Sequence, residues 1–311
     1  MYQGAVFNCT LSGNSADRYG GGASGSRLEG CVVSNNATGY EGGGVNGSEL
    51  SRCTLVANTS ADIAGGAYAS QLSHCWLLEN QAEHGGGAYR SVLTNCVVSG
   101  NWASDTGGGV DEECLLFNCT LTDNEAQFEG GGSWGGTLVN CLVYYNRAPS
   151  GPNFYSGIFT NSCTTPEPRG TNNLTADPVI LSVRNPQLRA GSPCIDAGVP
   201  QAWMGSGVDI AGRARINGGA VDIGAFEYYS GTQTGALTAA CTASWTMVAP
   251  GFPVRFTAHI GGNASSSAWT FGDGQGAANQ PVTTHAFATA GTYSVVLRAS
   301  NAAYSAASTV S

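Results

Sequence analysis

The chain contains no lysine, and only 11% of its 311 residues carry a charged side chain. Acidic residues outnumber basic ones by 21 to 12, which gives a net charge of −9. Nucleic acids and anionic membrane surfaces attract basic proteins. The charge balance therefore argues against both as partners, whereas it would suit calcium or a cationic partner.

Long apolar runs and zinc-type cysteine spacings are also missing. No run of 18 apolar residues occurs, so the sequence predicts no membrane insertion. The eleven cysteines include no CxxC pair and no Cys/His spacing typical of zinc sites. No window carries a long apolar stripe with the 3.6-residue period of an α-helix, which excludes helical repeats.

The chain has instead a repeat of about 22 residues, in which an aliphatic residue, a cysteine, a second aliphatic residue, an asparagine and a glycine cluster follow one another. The cysteines of the repeat are Cys9, Cys31, Cys53, Cys75, Cys96, Cys119, Cys141 and Cys163. The asparagines are Asn14, Asn36, Asn58, Asn80, Asn101, Asn124 and Asn146. The glycine clusters are 20–22, 42–44, 65–66, 85–87, 107–109 and 130–132. A fixed period of this length is typical of a repeat architecture.

Alternating cysteine and aliphatic positions within each repeat indicate a short strand with one buried face. The sequence therefore predicts an all-β chain whose first part is a right-handed parallel β-helix with one repeat per coil. In such a stack the asparagine side chains are expected to hydrogen-bond from coil to coil, and the glycines to form corners with positive φ.

The cysteines of the repeat are expected to be reduced, buried thiols that act as small hydrophobic side chains. Parallel Cβ vectors in consecutive coils disfavour disulfide geometry. Cys114, Cys194 and Cys241 lie outside the repeat, and a Cys163–Cys194 bridge is an open alternative.

Two resemblances support the β-helix. The segments Asn14-Ser15-Ala16 with Gly21-Gly22-Ala23, and Asn80-Gln81-Ala82 with Gly86-Gly87-Ala88, resemble repeats of polymorphic outer-membrane adhesins. After the coils, the series ADP, GSP-x-IDAG and VDIGAFEY between 176 and 228 resembles the end of bacterial β-helix proteins of the choice-of-anchor type. That resemblance implies a region that closes the helix and precedes an anchor or accessory module.

Four charged residues of the closing region could be mistaken for catalytic groups. They are Asp196, Asp209, Arg213 and Asp222. Buried Asp–Arg pairing that locks a capping turn is the expected role, because such pairs form strong, directional hydrogen bonds.

From residue 236 onward the sequence changes to alternating strands. Trp269-Thr270-Phe271-Gly272-Asp273-Gly274, then His285-Ala286-Phe287 and Gly291-Thr292-Tyr293, resemble the polycystic-kidney-disease (PKD) domain. The resemblance implies an immunoglobulin-like sandwich with Trp269 in its core and a tight turn at Asp273. It also implies an extracellular spacer or adhesive module.

The expected domain organisation follows from these segments. Residues 1–229 form the β-helix, with coils over 1–165 and the closing region over 166–229. A linker covers 230–235, and the PKD-like domain covers 236–311. Because Met1 opens almost directly into the first coil, the chain is expected to be a segment or processed form of a longer one.

Acidic and aromatic residues recur in the loops before the glycines and are candidates for ligand binding. Stacked carboxylates could bind calcium or a cationic glycan, but their offset from the cysteine drifts between 8 and 10 residues, which favours solvated loop carboxylates. Exposed aromatic rings could stack on sugars. The candidates are Tyr19, Tyr40, Glu41, Asp62, Glu83, Trp102, Asp105, Phe128 and Glu129, with Asp17 at the start of the acidic series. Trp76 and Trp134 could extend the aromatic face, and His84 is expected to be an isolated loop residue.

These observations favour an extracellular or cell-surface protein that is adhesive or structural and not catalytic. Its expected partners are polysaccharides or surface proteins, and calcium is the only cofactor considered. One alternative is a polysaccharide lyase or glycoside hydrolase acting in a groove of the β-helix. Another is a filament subunit that self-associates through exposed coil edges.

Overall fold

The computed structural model describes residues 2–311 and confirms an all-β chain with a parallel β-helix of about seven turns. Equivalent positions in successive coils pair in register about 22 residues apart, as in Thr54 with Trp76. Four parallel sheets of short strands run along the solenoid, and each of the first six coils contributes one strand to each sheet in turn.

The first two sheets are joined in each coil by a corner residue with positive φ, such as His74 at +54°. The first sheet contains Ala5–Phe7, Arg27–Glu29, Glu49–Ser51, Gln71–Ser73, Val92–Thr94, Leu115–Phe117, Thr137–Val139, Ile158–Thr160 and Gly170–Thr171. The second contains Thr10–Ser12, Val32–Ser34, Thr54–Val56, Trp76–Leu78, Val97–Ser99, Thr120–Thr122, Leu142–Tyr144 and Cys163–Thr164.

The third and fourth sheets consist of two-residue strands. The third contains Ser15–Ala16, Ala37–Thr38, Thr59–Ser60, Gln81–Ala82, Trp102–Ala103 and Glu125–Ala126. The fourth contains Ala23–Ser24, Val45–Asn46, Ala67–Tyr68, Ala88–Tyr89, Val110–Asp111 and Ser133–Trp134. The loop that joins the third sheet to the fourth carries the glycine cluster of each repeat.

The interior of the solenoid is built from stacks of identical residues. Each inner asparagine donates its side-chain amide to the next asparagine, as from Asn58 Nδ2 to Asn80 Oδ1 at 2.9 Å. The same amide also donates to a carbonyl of the preceding coil, here that of Val33. The carboxamide oxygen in turn accepts the backbone amide of the asparagine one coil before, so the buried side chain has all its partners.

The cysteines stack in the same way. The amide of Cys53 points at Cys75 Sγ over 3.4 Å, and each thiol faces a carbonyl two residues earlier. Cys31, Cys53, Cys75, Cys96, Cys119 and Cys141 are buried, whereas Cys9 is exposed. Burial raises the pKa of Cys96 and Cys141, which keeps these thiols protonated.

Two further points concern the remaining cysteines. Cys114 lies off the cysteine stack but on a second interior stack, where its sulfur accepts the amide of Ser91, the place that serine hydroxyls take in earlier coils. The larger, less polar sulfur substitutes for a hydroxyl there. The alternative Cys163–Cys194 bridge does not form: within residues 2–311, no disulfide joins any two cysteines.

The glycines within each cluster have two different structural roles. The first glycine of a triplet has a positive φ, +65° at Gly85, and Ala64 takes this conformation at +57° in the coil with only two glycines. The second glycine has no room for a side chain, since a Cβ on Gly86 would lie 2.4 Å from the carbonyl oxygen of Trp102. Glycine permits both the left-handed corner and the close approach of coils.

The chain forms two compact units, and one segment is placed differently from the expected domain boundaries. The first unit comprises residues up to Pro178 together with Pro193–Glu227, and the second comprises Val179–Ser192 with Tyr228–Ser311. Val179–Ser192 contains the hairpin Ile180–Ser182 and Asn185–Leu188. The hairpin belongs to the second unit because Leu181 is buried in that unit's apolar core.

In the first unit, residues 193–227 lie against the flank of the coils. The carbonyl of Val208 accepts hydrogen bonds from His74 and Asn95, and Phe226 packs edge-on against Trp76 at 6.0 Å. A short 3₁₀ helix covers Ala202–Ser206. Trp76 is therefore a packing residue and does not extend the aromatic face.

The second unit is an antiparallel sandwich of two main sheets beside the hairpin. One sheet contains Thr238–Ala243, Val254–Gly261 and Val282–His285, and the other contains Ser266–Thr270, Gly276–Ala278, Val295–Ser300 and Ser305–Val310. Trp269 is 1% exposed at the centre of the core, beside Phe256 and Phe271. Its indole nitrogen donates to the carbonyl of Gln280.

Candidate ligand-binding face

The loops before the glycines, together with the fourth sheet, form one outward side of the solenoid, called the outer face here. Bridges between coils align one loop position, which we call the inner loop column. Its members are Tyr19, Glu41, Ile63, His84, Thr106, Glu129 and Ser150. The residues one place earlier form the outer loop column: Arg18, Tyr40, Asp62, Glu83, Asp105 and Phe128.

This register divides the expected acidic stripe between two columns. Glu41 and Glu129 belong to the inner loop column, and Asp62, Glu83 and Asp105 belong to the outer one. Asp17 lies one residue before the outer column. Three carboxylates from consecutive coils thus follow one another at Asp62, Glu83 and Asp105, where strand spacing separates coils by about 4.8 Å.

Aromatic side chains from the fourth sheet stand beside the loop columns. Strand pairing aligns Ser24, Asn46, Tyr68, Tyr89, Asp111 and Trp134 in what we call the sheet column. Tyr68 and Tyr89 stack with ring centroids 5.9 Å apart and an interplanar angle of 16°. Trp134 stacks on Tyr155 at 6.4 Å and 8°. The rings are therefore held in fixed orientations along the face.

Side chains of the inner loop column hydrogen-bond to the sheet column of the same coil. Asn46 donates to Glu41 over 3.2 Å, Thr106 to Asp111 over 2.6 Å, and the Trp134 indole to Glu129 over 3.1 Å. The repeated contact spans five residues across the glycines. Polar groups of the two columns therefore orient one another along the outer face.

Ionisable groups of the middle coils have shifted pKa values. Desolvation by burial raises the pKa of Asp111 to about 6, although hydrogen bonds from Thr106 and the Glu112 amide oppose the rise. Desolvation also raises the pKa of Tyr89, whose hydroxyl donates to Glu112 over 2.7 Å. Asp111 is consequently ionised, and Tyr89 protonated, at neutral pH.

The remaining candidate aromatics lie at different positions. Tyr19, Tyr40 and Phe128 are exposed in the loop columns, as expected for residues that could meet a ligand. Trp102 is exposed on the third sheet, in register with Gln81 and Glu125. It therefore stands apart from the other three rings, one sheet earlier in the coil.

Tyr68 and Tyr89 were not among the residues expected from the sequence. The signal for them was present, because both follow the same Gly-Ala pair at 66–67 and 87–88. The expectation that His84 is an isolated loop residue is wrong. Its Nε2 atom lies 3.9 Å from Glu83 Oε1 and 3.8 Å from Asp105 Oδ2, since consecutive coils bring Asp105 beside it.

The charged residues of the closing region form a network that is buried in part. Asp209 accepts the Arg213 guanidinium and the amide of Glu227, and Asp222 accepts the amide of Asp196. Asp209 and Asp222 are buried, whereas the Arg213 side chain is one-third exposed and Asp196 is exposed. Arg215, which was not among the expected residues, is fully buried and donates to Glu227 over 2.7 Å. The hydrogen bonds of Asp209 and Asp222 suit the locking of turns.

Burial raises the pKa of Glu227 to about 8, against the opposing charge of Arg215. Within residues 2–311, its second carboxylate oxygen, Oε2, is buried without a hydrogen-bond partner. An unsatisfied buried oxygen favours the protonated form. Glu227 is thus a neutral or partly neutral acid near pH 7.

In the sandwich, Asp273 lies at the turn after Trp269. His285 Nε2 contacts Asp273 Oδ2 at 2.7 Å, and the imidazole stacks on Phe271 at 4.1 Å. Although desolvation opposes it, hydrogen bonds from the Gln275 amide and His285 lower the pKa of Asp273. The pair fixes the turn against the core.

No helix within residues 2–311 is long and apolar enough to cross a membrane. Comparison with curated proteins found no match, and comparison with solved structures found none either. The PKD domain family matches residues 238–311, the span that the structure folds as an antiparallel sandwich. PKD domains are typical of extracellular or surface proteins. We conclude that this chain combines a parallel β-helix of about 22 residues per turn with a C-terminal PKD domain.

Proposed function

We propose that the protein is an extracellular surface protein with an adhesive or structural role, and that it binds polysaccharide along the outer face without cleaving it. The observation that carries this proposal is the pair of aromatic stacks, Tyr68 with Tyr89 and Trp134 with Tyr155. Aromatic rings with polar atoms at their edges are suited to the apolar faces and hydroxyl groups of sugars.

The shape of the outer face supports a long ligand in preference to a small one. Its columns continue over consecutive coils, so polar and aromatic side chains follow one another along the solenoid. Carboxylates and carboxamides beside the rings offer hydrogen bonds to hydroxyl groups. A polymer that runs along the solenoid can therefore contact several coils at once.

The test is binding to a panel of neutral and acidic polysaccharides, with and without calcium. Removing two rings in Tyr68→Ala/Tyr89→Ala is expected to weaken binding roughly tenfold, since each aromatic contact contributes about 0.5–1.5 kcal/mol. Tyr304→Ala is the matched control, because Tyr304 is an exposed tyrosine of the sandwich. It should leave affinity unchanged.

The same samples decide between binding and catalysis. New reducing ends or absorbance from unsaturated products, abolished by Glu83→Gln, would contradict the non-catalytic role and favour a lyase or hydrolase. Absence of both binding and products would contradict the glycan part of the proposal and leave the structural role.

A further inference from the structure

His84 sits between two carboxylates on the outer face, one from its own coil and one from the next. Ligand atoms of Glu83, His84 and Asp105 all lie within 4.8 Å of one another. The imidazole is about one-third exposed, and the two carboxylates are more open to solvent. The three side chains thus converge at an accessible point.

Hydrogen bonds on the other side of the ring fix the position of its proton. Thr106 donates its hydroxyl hydrogen to Asp111 Oδ2 over 2.6 Å. A hydroxyl has only one hydrogen, so Thr106 Oγ1 must accept the hydrogen bond from His84 Nδ1, 2.9 Å away. His84 Nδ1 therefore carries a hydrogen atom.

This tautomer leaves Nε2 of the neutral imidazole with a lone pair. Nε2 lies 3.9 Å from Glu83 Oε1 and 3.8 Å from Asp105 Oδ2, and an ionised carboxylate can only accept hydrogen bonds. With the imidazole neutral, three electron-rich atoms therefore converge. A cation placed among them converts mutual repulsion into attraction.

We propose that Glu83, His84 and Asp105 bind a first-row transition-metal dication, of which zinc is the representative. One imidazole nitrogen and two carboxylate oxygens form a ligand set that suits zinc, whereas calcium takes oxygen ligands only. This ligand set shares Glu83 and Asp105 with the calcium stripe considered on sequence grounds and differs from it by the histidine. Zinc binding there can be measured without any glycan.

The distances agree with this assignment. Zinc–ligand bonds of about 2.0–2.2 Å in a tetrahedron separate neighbouring ligand atoms by roughly 3.4 Å. The observed separations of 3.8 Å and 3.9 Å from Nε2 exceed that by about half an ångström, which partly exposed carboxylates can close by rotating. Water would complete the coordination on the open side.

The Thr106–Asp111 pair acts as the support that metal-binding histidines usually have. A ligating imidazole generally donates its other N–H to a carboxylate, carbonyl or water, and losing that partner typically weakens metal affinity about 10–100-fold. Here the hydroxyl of Thr106 links the imidazole ring to the carboxylate of Asp111 through two hydrogen bonds. Thr106 is thus a positioning residue.

The experiment is calorimetric titration with zinc chloride at pH 8 and absorption spectroscopy with cobalt(II), in a Cys9→Ser background. That background removes the exposed thiol, which could bind zinc by itself. One ion per chain is expected, together with an upward shift in melting temperature, because the ion joins two coils. His84→Ala should abolish both signals.

Further variants test whether zinc binding is specific to this site and whether Thr106 positions the imidazole. Glu41→Gln removes a carboxylate of the inner loop column that lies two coils away from His84, and should leave zinc affinity unchanged. Thr106→Val should weaken zinc binding about 10–100-fold, and Thr106→Ser should restore it.

Three results would overturn the proposal. The first is no zinc binding at millimolar concentration, which would mean that a proton on Nε2 bridges the carboxylates and no metal does. The second is zinc binding that survives His84→Ala, and the third is calcium binding stronger than zinc binding. None of these readouts requires a polysaccharide, so they remain separate from the test of the proposed function.

Discussion

At the residue scale, the interior asparagines hold adjacent coils together through specific hydrogen bonds. Asn80 accepts the backbone amide and the side-chain amide of Asn58, and it donates to Asn101 and to the carbonyl of Leu55. All four groups lie away from water. Loss of the Asn80 side chain would leave the buried donors and acceptors around it without partners.

We expect Asn80→Ala to lower the free energy of unfolding of the solenoid by about 2–4 kcal/mol, because each stranded buried polar group costs about 1–3 kcal/mol. Asn14→Ala is the control. Asn14 belongs to the same stack but is exposed, so its loss should cost about 1 kcal/mol or less. Urea unfolding followed by circular dichroism measures both; equal effects would contradict the buried ladder.

Glu227 leads to a prediction on pH. Its folded pKa of about 8 lies above the unfolded value of about 4.3. The protonated form is therefore favoured by folding, and the resulting stability is complete below the unfolded pKa and lost as the pH rises towards 8.

The expected result is a melting temperature of the β-helix unit that falls between pH 5 and pH 8 more steeply in the wild-type chain than in Glu227→Gln. Glutamine keeps an oxygen for the Arg215 guanidinium but cannot ionise. Calorimetry across this range measures the difference, and parallel pH profiles would show that the ionisation of Glu227 is not linked to folding.

At the scale of elements, register decides which side chains meet. The acidic residues before the glycines lie in the equivalent loop of each coil, but their distance from the cysteine varies between coils. Sequence spacing therefore predicted one loose stripe, whereas strand pairing placed Asp62, Glu83 and Asp105 in one column and Glu41 and Glu129 in another. His84 was expected to be isolated because its partner Asp105 belongs to the next coil.

The cysteine stacks give a prediction about reactivity. Nine of the eleven thiols are buried, Cys241 is half-buried and Cys9 is exposed. Thiolate is the reactive form, and burial raises the pKa of Cys114 to about 12. Native protein treated with a thiol-specific disulfide reagent should therefore react quickly at Cys9 and more slowly at Cys241.

The buried thiols are expected to react only after unfolding in denaturant. Cys9→Ser removes the fast phase and is the control for its assignment. Rapid reaction of several thiols in the native protein would contradict the closed interior of the coils.

At the scale of the whole molecule, the chain leaves the first unit at Val179 and returns to it at Pro193. The intervening hairpin adds Leu181 to the sandwich core, and the Ser182 hydroxyl hydrogen-bonds with the backbone of Ile260. A segment that sequence motifs assigned to the β-helix therefore contributes to the stability of the other unit.

We expect Leu181→Ala and Leu297→Ala to lower the same calorimetric transition, each by about 2–5 kcal/mol, because both remove a buried side chain from one core. Leu77→Ala, in the core of the coils, should lower the other transition. A shift of the β-helix transition by Leu181→Ala would contradict the placement of the hairpin.

The sequence by itself determined the repeat, the parallel stacking and the sandwich. Asparagine, cysteine and glycine positions recur at a constant period, and stacking of the coils places equivalent residues of successive repeats above one another. Trp269 and the Gly272-Asp273-Gly274 turn similarly indicated the sandwich, since these local features need no knowledge of distant contacts.

Only the tertiary structure decided which loop residues face one another and where 179–192 belongs. The convergence of Glu83, His84 and Asp105 depends on the register between coils, and the tautomer of His84 depends on Thr106 and Asp111, in the following coil. Leu181 joins a core formed by residues more than 50 positions away. Contacts of this kind arise from the packing of separate segments, which composition and period do not encode.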